Sequence, residues 1–416
     1  MEMTTPLVTN DAVALGLLAV ILGLVFYTES SPHPFWRRFY RYVPGLLLCY
    51  FLPSLLNSFG IVDGHASKLY FVSSRYLLPA CLVLLTLSVD FAAIARLGHK
   101  AITMFLTGTA GIVVGGPLAI LVVGSVAPDV VGGAGPTAVW RGMTTVAGSW
   151  IGGGANQTAM KEIFQVDDAL FSQMVAVDVL CASLWMAVLL FMAGRAGQID
   201  RRMGADTSAI EELKRRVERF HAEHGRQTTL PDLIFIVALG FGFTGLAHAV
   251  AGFIAPLIES RAPGLAKLSL TSPFFWIVVV ATTAGLLLSF TRARRLEGAG
   301  ASKVGSAMLY ILVASIGMRM DVGAVFENPG LFVVGFIWIG IHAGLLIVMA
   351  RIIRAPVFYL AVGSQANVGG AASAPVVASA FHPTLAPVGV LLAVLGYALG
   401  TYAAWLCGLA MAAVAP

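Results

Sequence analysis

Two stretches of this 416-residue chain place a permissive backbone beside amide side chains. In "GSWIGGGANQTAM" (148–160), Gly152, Gly153 and Gly154 stand between Ser149 and the pair Asn156 and Gln157. In "GSQANVGGAASAP" (363–375), Ser364, Gln365 and Asn367 precede Gly369 and Gly370, and Pro375 follows. Each glycine weakens a helix by roughly 1 kcal/mol relative to alanine, and a proline removes a backbone donor. A helix interrupted at such a point frees N–H groups on one half and carbonyls on the other, partial charges suited to an anion and a cation respectively. Close packing of helices through small residues is the alternative. It accounts for the glycines but not for amides beside them in both stretches.

Ionisable residues inside apolar runs add to this chemistry. Asp178, in "SQMVAVDVLCASLWMAVLL", lies well within a run where an aspartate costs about 2.5–3.5 kcal/mol to insert, so a functional role is its default reading. It could bind a cation as carboxylate or carry a proton, and a structural hydrogen bond to a neighbouring helix is the alternative. His342, in "FIWIGIHAGLLIVM", suits a proton relay or a neutral interhelical hydrogen bond equally. Asp90 and Asp321 each end an apolar run, where interfacial solvation explains them, and His248 is a weaker candidate still.

These residues need a membrane-spanning framework, and the composition supplies one. Hydrophobic residues make up 58% of the chain and charged residues 11%, with a mean hydropathy of +0.86, whereas soluble domains carry about 25% charged residues. Apolar runs near the roughly 20 residues needed to cross a bilayer lie at 11–28, 42–59, 69–89, 101–126, 137–163, 170–194, 231–255, 273–290, 302–320, 330–350, 356–380 and 385–412. The expected fold is an all-α polytopic membrane protein with about 11 to 13 transmembrane helices. Long continuous runs argue against a membrane β-barrel, whose strands alternate over about ten residues. The first run has neither a preceding basic stretch nor a small-residue cleavage pattern, so it reads as a retained helix.

From Gln198 to Arg226 the character changes: 13 of the chain's 47 Asp, Glu, Lys and Arg residues fall within 29 positions. Glu211 with Arg215 and Glu212 with Arg216 stand four apart, the spacing of an exposed helix. The expected organisation is an N-terminal transmembrane half (1–197), a charged cytoplasmic linker helix (198–230) and a C-terminal transmembrane half (231–416). Parts recur in order on both sides of the linker. An apolar run ends at Asp90 or Asp321, a plain helix follows, then a Gly/Asn-rich stretch, then a final apolar helix.

Basic residues cluster in four connections: Arg37, Arg38 and Arg41; Arg96 and Lys100; Arg292, Arg294, Arg295 and Lys303; Arg351 and Arg354. If all four face the cytoplasm, an even number of crossings separates Gly98 from Thr291. Five apolar runs lie there, so one of them does not cross, and the Gly-rich 231–255 is one candidate. An even number would make the halves inverted copies.

Cys49, Cys81, Cys181 and Cys407 all sit in apolar runs, where small buried hydrophobes are expected, with no disulfide and no metal. No nucleotide-binding loop and no metal-ligand spacing occurs. No acid and base pair stands beside a nucleophile, so an enzyme is not expected.

At "GSWIGGGANQTAM", "VAVDVL" and "GSQANVGGAASAP" the chain resembles the YjcL-like family of bacterial inner-membrane proteins of unknown function (family 819), over most of its length outside the linker. That family is placed with the cation/proton antiporters and the bile-acid and glutamate sodium symporters. The resemblance implies two inverted repeats whose discontinuous helices, broken at 149–157 and 364–370, cross at mid-membrane. It also implies that Asp178 lies on the helix bearing the acidic cation site. Two departures speak against electrogenic sodium/proton exchange. Asp178 is followed by Val179 rather than a second acid, and "LAPVGVLLAVLGYALGTYAAWLCGL" has no basic residue.

The expected function is secondary active transport of a small anionic or zwitterionic organic solute, coupled to sodium or protons by alternating access. Ser149, Gly152, Gly153, Gly154, Asn156, Gln157, Ser364, Gln365, Asn367, Gly369 and Gly370 would bind solute or ion. Asp178 would hold the coupling cation, with sodium near it, and His342 would relay protons. No cofactor beyond the coupling ion is expected. The expected partners are the lipid bilayer of the inner (plasma) membrane, a small-molecule solute, no nucleic acid, and a second copy of the chain as a homodimer. A cation/proton antiporter and a non-transporting scaffold or sensor are the other readings.

Overall fold

A computed structural model describes residues 6–40, 43, 45–205, 228–268, 270–320, 327–382 and 385–416. The described residues are helical apart from connections and one isolated bridge, Val8 to Val62. Each apolar run of the sequence is helical, and 356–380 forms two helices. In chain order they are α1 (Asp11–Glu29), α2 (Gly45–Ser58), α3 (Leu69–Leu87), α4 (His99–Gly124), α5 (Val139–Ile163), α6 (Asp168–Ala193), α7 (Leu230–Arg261), α8 (Pro273–Ser289), α9 (Ala301–Gly317), α10 (Gly330–Ile352), α11 (Val357–Val368), α12 (Gly370–Phe381) and α13 (Ala386–Val414). By length and composition, seven of them can cross a membrane unaided, or eight if α8 is joined to the bent Arg292–Ala299 turn. This is an all-helical polytopic membrane protein. Asp321 and most of the charged linker lie outside the described residues, where only Ala196–Met203 represents the linker helix.

α5 is broken at Gly153, whose φ of 73° lies where a side chain would be strained. The chain then turns back. Arg141 Nη1 donates to the Phe164 carbonyl at 2.6 Å, and the Trp140 and Phe164 rings are 5.7 Å apart. A Cβ on Gly148 would stand 2.6 Å from the Asn156 carbonyl oxygen. A straight helix of this length would hold its ends about 37 Å apart, so α5 is a hairpin with its tip at Gly153.

α11 and α12 repeat the form, with the break at Gly369 and Gly370, the latter at φ 58°. Phe358 and Phe381, from opposite ends of the pair, meet edge to face at 5.4 Å, and Gln365 Nε2 donates to Ser373 Oγ at 2.7 Å between the arms. The expectation of discontinuous helices that cross is therefore corrected. Both are discontinuous, but each folds back on itself because a glycine at positive φ reverses the chain instead of letting it continue. The 231–255 candidate is corrected too, since α7 is one continuous helix of 32 residues.

Tertiary contacts sort the connections to two ends of the bundle. At one end Arg294 pairs with Asp90 at 2.8 Å, Lys100 Nζ donates to the Arg354 carbonyl, and Val357 N–H donates to Asp200 at 2.8 Å. At the other, Lys161 and Arg319 each reach Asp168 at 2.7 Å, Arg75 reaches Glu162 at 2.7 Å, and Asn328 donates to the Val130 carbonyl. The hairpin of α5 opens at this second end, and that of α11 and α12 opens at the first.

Candidate functional site

The tips of the two hairpins meet on α13. A Cβ on Gly396 would stand 2.5 Å from the Ile151 carbonyl oxygen and 3.6 Å from that of Ala366. One turn on, a Cβ on Gly400 would stand 2.6 Å from Asn156 Nδ2 and 2.7 Å from Gly152 Cα. The sequence "GYALG" (396–400) thus gives α13 a bare strip against which both breaks rest.

Asp178 lies ten residues into α6, about 15 Å along it and so at mid-depth. The N-terminus of α6 is fixed by Asp167, which accepts from the Ala169 and Leu170 N–H groups. The Asp178 carboxylate joins both arms of the first hairpin. Oδ1 accepts from Trp150 Nε1 at 2.7 Å, before the break, and Oδ2 accepts from Gln157 Nε2 at 3.0 Å, after it. The Ser149 hydroxyl faces the same group, and Tyr50 of α2 donates to Gln157 Oε1 at 3.2 Å. No lysine or arginine pairs with Asp178 among the contacts of the described residues.

The two asparagines are tied internally. Asn156 Nδ2 donates to the Gly152 carbonyl, and its Oδ1 accepts from Thr401 at 2.6 Å. Asn367 Nδ2 donates to the Phe105 and Gly363 carbonyls, and its Oδ1 accepts from Thr109 at 2.7 Å. Asn156 thus bridges its break, Asn367 closes the turn before its own, and each anchors its hairpin to a neighbouring helix.

Ser364 is held between α6 and α10. It accepts from Trp185 Nε1 at 2.7 Å and lies 2.7 Å from His342 Nε2, while His342 Nδ1 lies 2.9 Å from the Gly108 carbonyl. Gln365 is 1% exposed, and its Oε1 has no hydrogen-bond partner among the described residues. Its neighbour Gly369 is so close to Gln365 and Ser373 that no Cβ fits there.

The sequence-derived candidates therefore fall into two groups. Ser149, Gly152, Gly153, Gly154, Asn156, Gln157 and Asp178 gather at the first tip. Ser364, Gln365, Asn367, Gly369, Gly370 and His342 gather at the second. The polar members are all buried, whereas Gly153, Gly154 and Gly369 at the tips are half-buried. Asp90 and His248 stand apart, the first paired with Arg294 and the second bonded to the Arg75 carbonyl at 2.8 Å.

Sequence reasoning missed Tyr50, Trp150, Trp185, Thr109 and Thr401, which come from distant segments and carry no local signal. It also missed Gly396 and Gly400, whose four-residue spacing was a usable one. The cluster at the mouth of the first hairpin was missed as well. There the amine of Lys161, 5% exposed, also donates to Tyr70 at 3.1 Å, and the adjacent Lys161 and Glu162 inside an apolar run were the clue. Outside the spans, burial pushes the Asp200 carboxyl above the usual range, opposed by the Val357 N–H it accepts. No group of three or more His, Cys, Asp or Glu side chains placed to hold a metal occurs among the described residues.

Residues 16–414 match the family described as "Protein of unknown function (DUF819)". The chain belongs to this family. It is also similar to "Uncharacterized membrane protein YjcL" of Bacillus subtilis (strain 168), 22% identical over 348 residues, which cover 81% of this chain and 82% of that protein. Membership in this family leaves the activity to be argued from the site.

Proposed function

We propose that the chain is a secondary active transporter of the inner membrane, with ten crossings and two re-entrant hairpins that enter from opposite faces. The end carrying Asp90, Arg294, Lys100 and Arg354 is rich in basic connections and is assigned to the cytoplasm. With α5 returning to the face it left, four helices cross between Gly98 and Thr291, namely α4, α6, α7 and α8, and the parity required by the basic connections is met. The halves are then inverted copies, each with five crossings and one hairpin, the arrangement of many carriers.

One observation carries the functional reading: both hairpin tips rest on Gly396, and an intramembrane carboxylate without a basic partner among the described residues bridges the arms of one of them. Irregular backbone at membrane depth is tolerated where it lines a cavity or is buried in protein. An intramembrane acid marks an ion or proton path. Asp178 holds sodium or a proton, and because its two oxygens tie Trp150 to Gln157, a cation there changes the tie between the arms. The unpartnered Gln365 Oε1 offers an acceptor at the second tip. The solute is small and anionic or zwitterionic, and the hairpins with α4, α6, α10 and α13 move against the remaining helices.

No enzymatic step and no cofactor beyond the coupling ion belong to this reading. The test is solute-dependent thermal stabilisation of the purified protein with and without sodium, followed by accumulation in proteoliposomes. Asp178→Asn should abolish cation-dependent uptake while leaving the protein folded in the membrane, and full uptake by that variant removes Asp178 from the site.

A further inference from the structure

We propose that His342 and Ser364 form a proton-dependent carboxylate site at the second hairpin, in which protonation of the imidazole releases the serine hydroxyl to bind an anion. The ligand's standing as the transported solute rests on the transport reading. The site itself rests on five hydrogen-bonding atoms.

Their donor and acceptor roles are fixed by chemistry. The Gly108 carbonyl can only accept, so His342 Nδ1 carries a hydrogen and donates to it at 2.9 Å. The neutral imidazole then has a lone pair on Nε2, which must accept the Ser364 hydroxyl hydrogen at 2.7 Å. Trp185 Nε1 can only donate, and it donates to Ser364 Oγ at 2.7 Å. The chain of donors runs one way, from Trp185 through Ser364 and His342 to Gly108, and every polar atom in it is satisfied. His342 and Ser364 are both 0% exposed.

A proton added to Nε2 breaks that order. The imidazolium must donate to Ser364 Oγ, which then accepts from both His342 and Trp185, and the serine hydrogen is expelled from the chain. A buried hydroxyl hydrogen without an acceptor is costly, and a buried cation without an anion more so. A carboxylate at Ser364 corrects both at once by accepting the hydroxyl hydrogen and neutralising the ring. Proton uptake and carboxylate binding are therefore linked at one oxygen, and removal of the proton turns the hydroxyl back to Nε2.

Among the described residues, the groups facing His342 from each packed helix are neutral. They are Gly108 and Gly111 of α4, Trp185 of α6, and Ser364 with Asn367 of α11. Asp178, the acid further along α6, stands seven residues from Trp185, about 10 Å of helix rise.

The test uses the full-length protein, labelled with 15N-histidine, in lipid nanodiscs near pH 6, close to the ordinary histidine range. The probes are acetate, succinate and glutamate, with chloride as control. The imidazole signal missing from His342→Gln should be the neutral Nδ1-protonated form alone, and should become imidazolium with at least one carboxylate, accompanied by proton uptake. Ser364→Ala should lose that response and Ser364→Thr should restore it. A signal that stays neutral with all three carboxylates, or one that responds equally in Ser364→Ala, overturns the site. Asp178→Asn should keep the His342 response. A responsive His342 without solute accumulation in proteoliposomes sinks the transport reading alone, and accumulation with an unresponsive His342 sinks the carboxylate site alone.

Discussion

Arg141 donates from Nη1 to the carbonyl of Phe164 at 2.6 Å although 23 residues separate them. The contact places both ends of α5 at one end of the bundle, so positions flanking the hairpin should face the same side of the membrane. In a background with the four buried cysteines replaced, single cysteines at Thr137 and Gln165 should react with an impermeant maleimide from the side that also labels His65. Cysteines at Arg38, Arg292 and Arg354 should react only from the opposite side. Labelling of 137 and 165 from different faces would mean that α5 crosses, and the inverted arrangement would be lost.

The bare strip of α13 makes a prediction about packing. A methyl group at Gly396 or Gly400 would stand 2.5–2.7 Å from hairpin backbone or from Asn156, and overpacking of this kind costs about 1–3 kcal/mol. Gly242 and Gly245 of α7 have nothing within 4 Å of a Cβ, so alanine there should gain roughly 0.5–1 kcal/mol from helix propensity. Thermal midpoints should fall for Gly396→Ala and Gly400→Ala and rise or hold for Gly242→Ala. Equal effects at all three would mean that the hairpins do not press on α13.

Asp168 receives Lys161 and Arg319 at 2.7 Å each, and His65 Nδ1 stands 3.7 Å away. It thus joins the mouth of the first hairpin to α6 and to the chain after α9. Removing one partner of a buried pair leaves the other charge uncompensated, at a cost of about 3–5 kcal/mol. Asp168→Asn should therefore lower stability to chemical unfolding by an amount in that range, discounted for the 17% exposure of the aspartate. Restoring the charge with Asp168→Glu should recover part of it. A loss no larger than that of Asp129→Asn, an acid in the turn after α4 that makes no ion pair among the described residues, would assign the cluster to the surface.

Much of this framework could be read from the chain. Every apolar run became a helix with ends shifted by a few residues, as for 170–194 against Asp168–Ala193, because hydrophobic length is a strong local signal. The breaks at Gly152–Gly154 and Gly369–Gly370 were legible for the same local reason. The angle at each break was not, since a glycine triplet permits many directions and the arms are held back to back by contacts such as Arg141 with Phe164. Charge parity implied that one run between Gly98 and Thr291 does not cross, but pointing to α5 needed its two ends in contact. Asp178 could be named from its placement, whereas its partners Trp150 and Gln157 could be assigned only once the reversed hairpin set both on α6.

Asp200 anchors the second hairpin by accepting the Val357 N–H at 2.8 Å, and burial holds its carboxyl above the ordinary range. A carboxyl whose folded value is raised contributes its full stability in acid, below its unfolded value, and loses it as pH rises through the folded value. Asn keeps an acceptor oxygen for Val357 and never ionises. Asp200→Asn should therefore melt at a higher temperature than the parent near neutral pH, and the difference should close as pH falls towards about 4, the unperturbed aspartate range. A thermal series across that window decides the matter. A parent that is the more stable at neutral pH would mean that the carboxylate's attraction to the N-terminus of α11 outweighs its burial, and the hairpin would then be anchored by charge rather than by a neutral hydrogen bond.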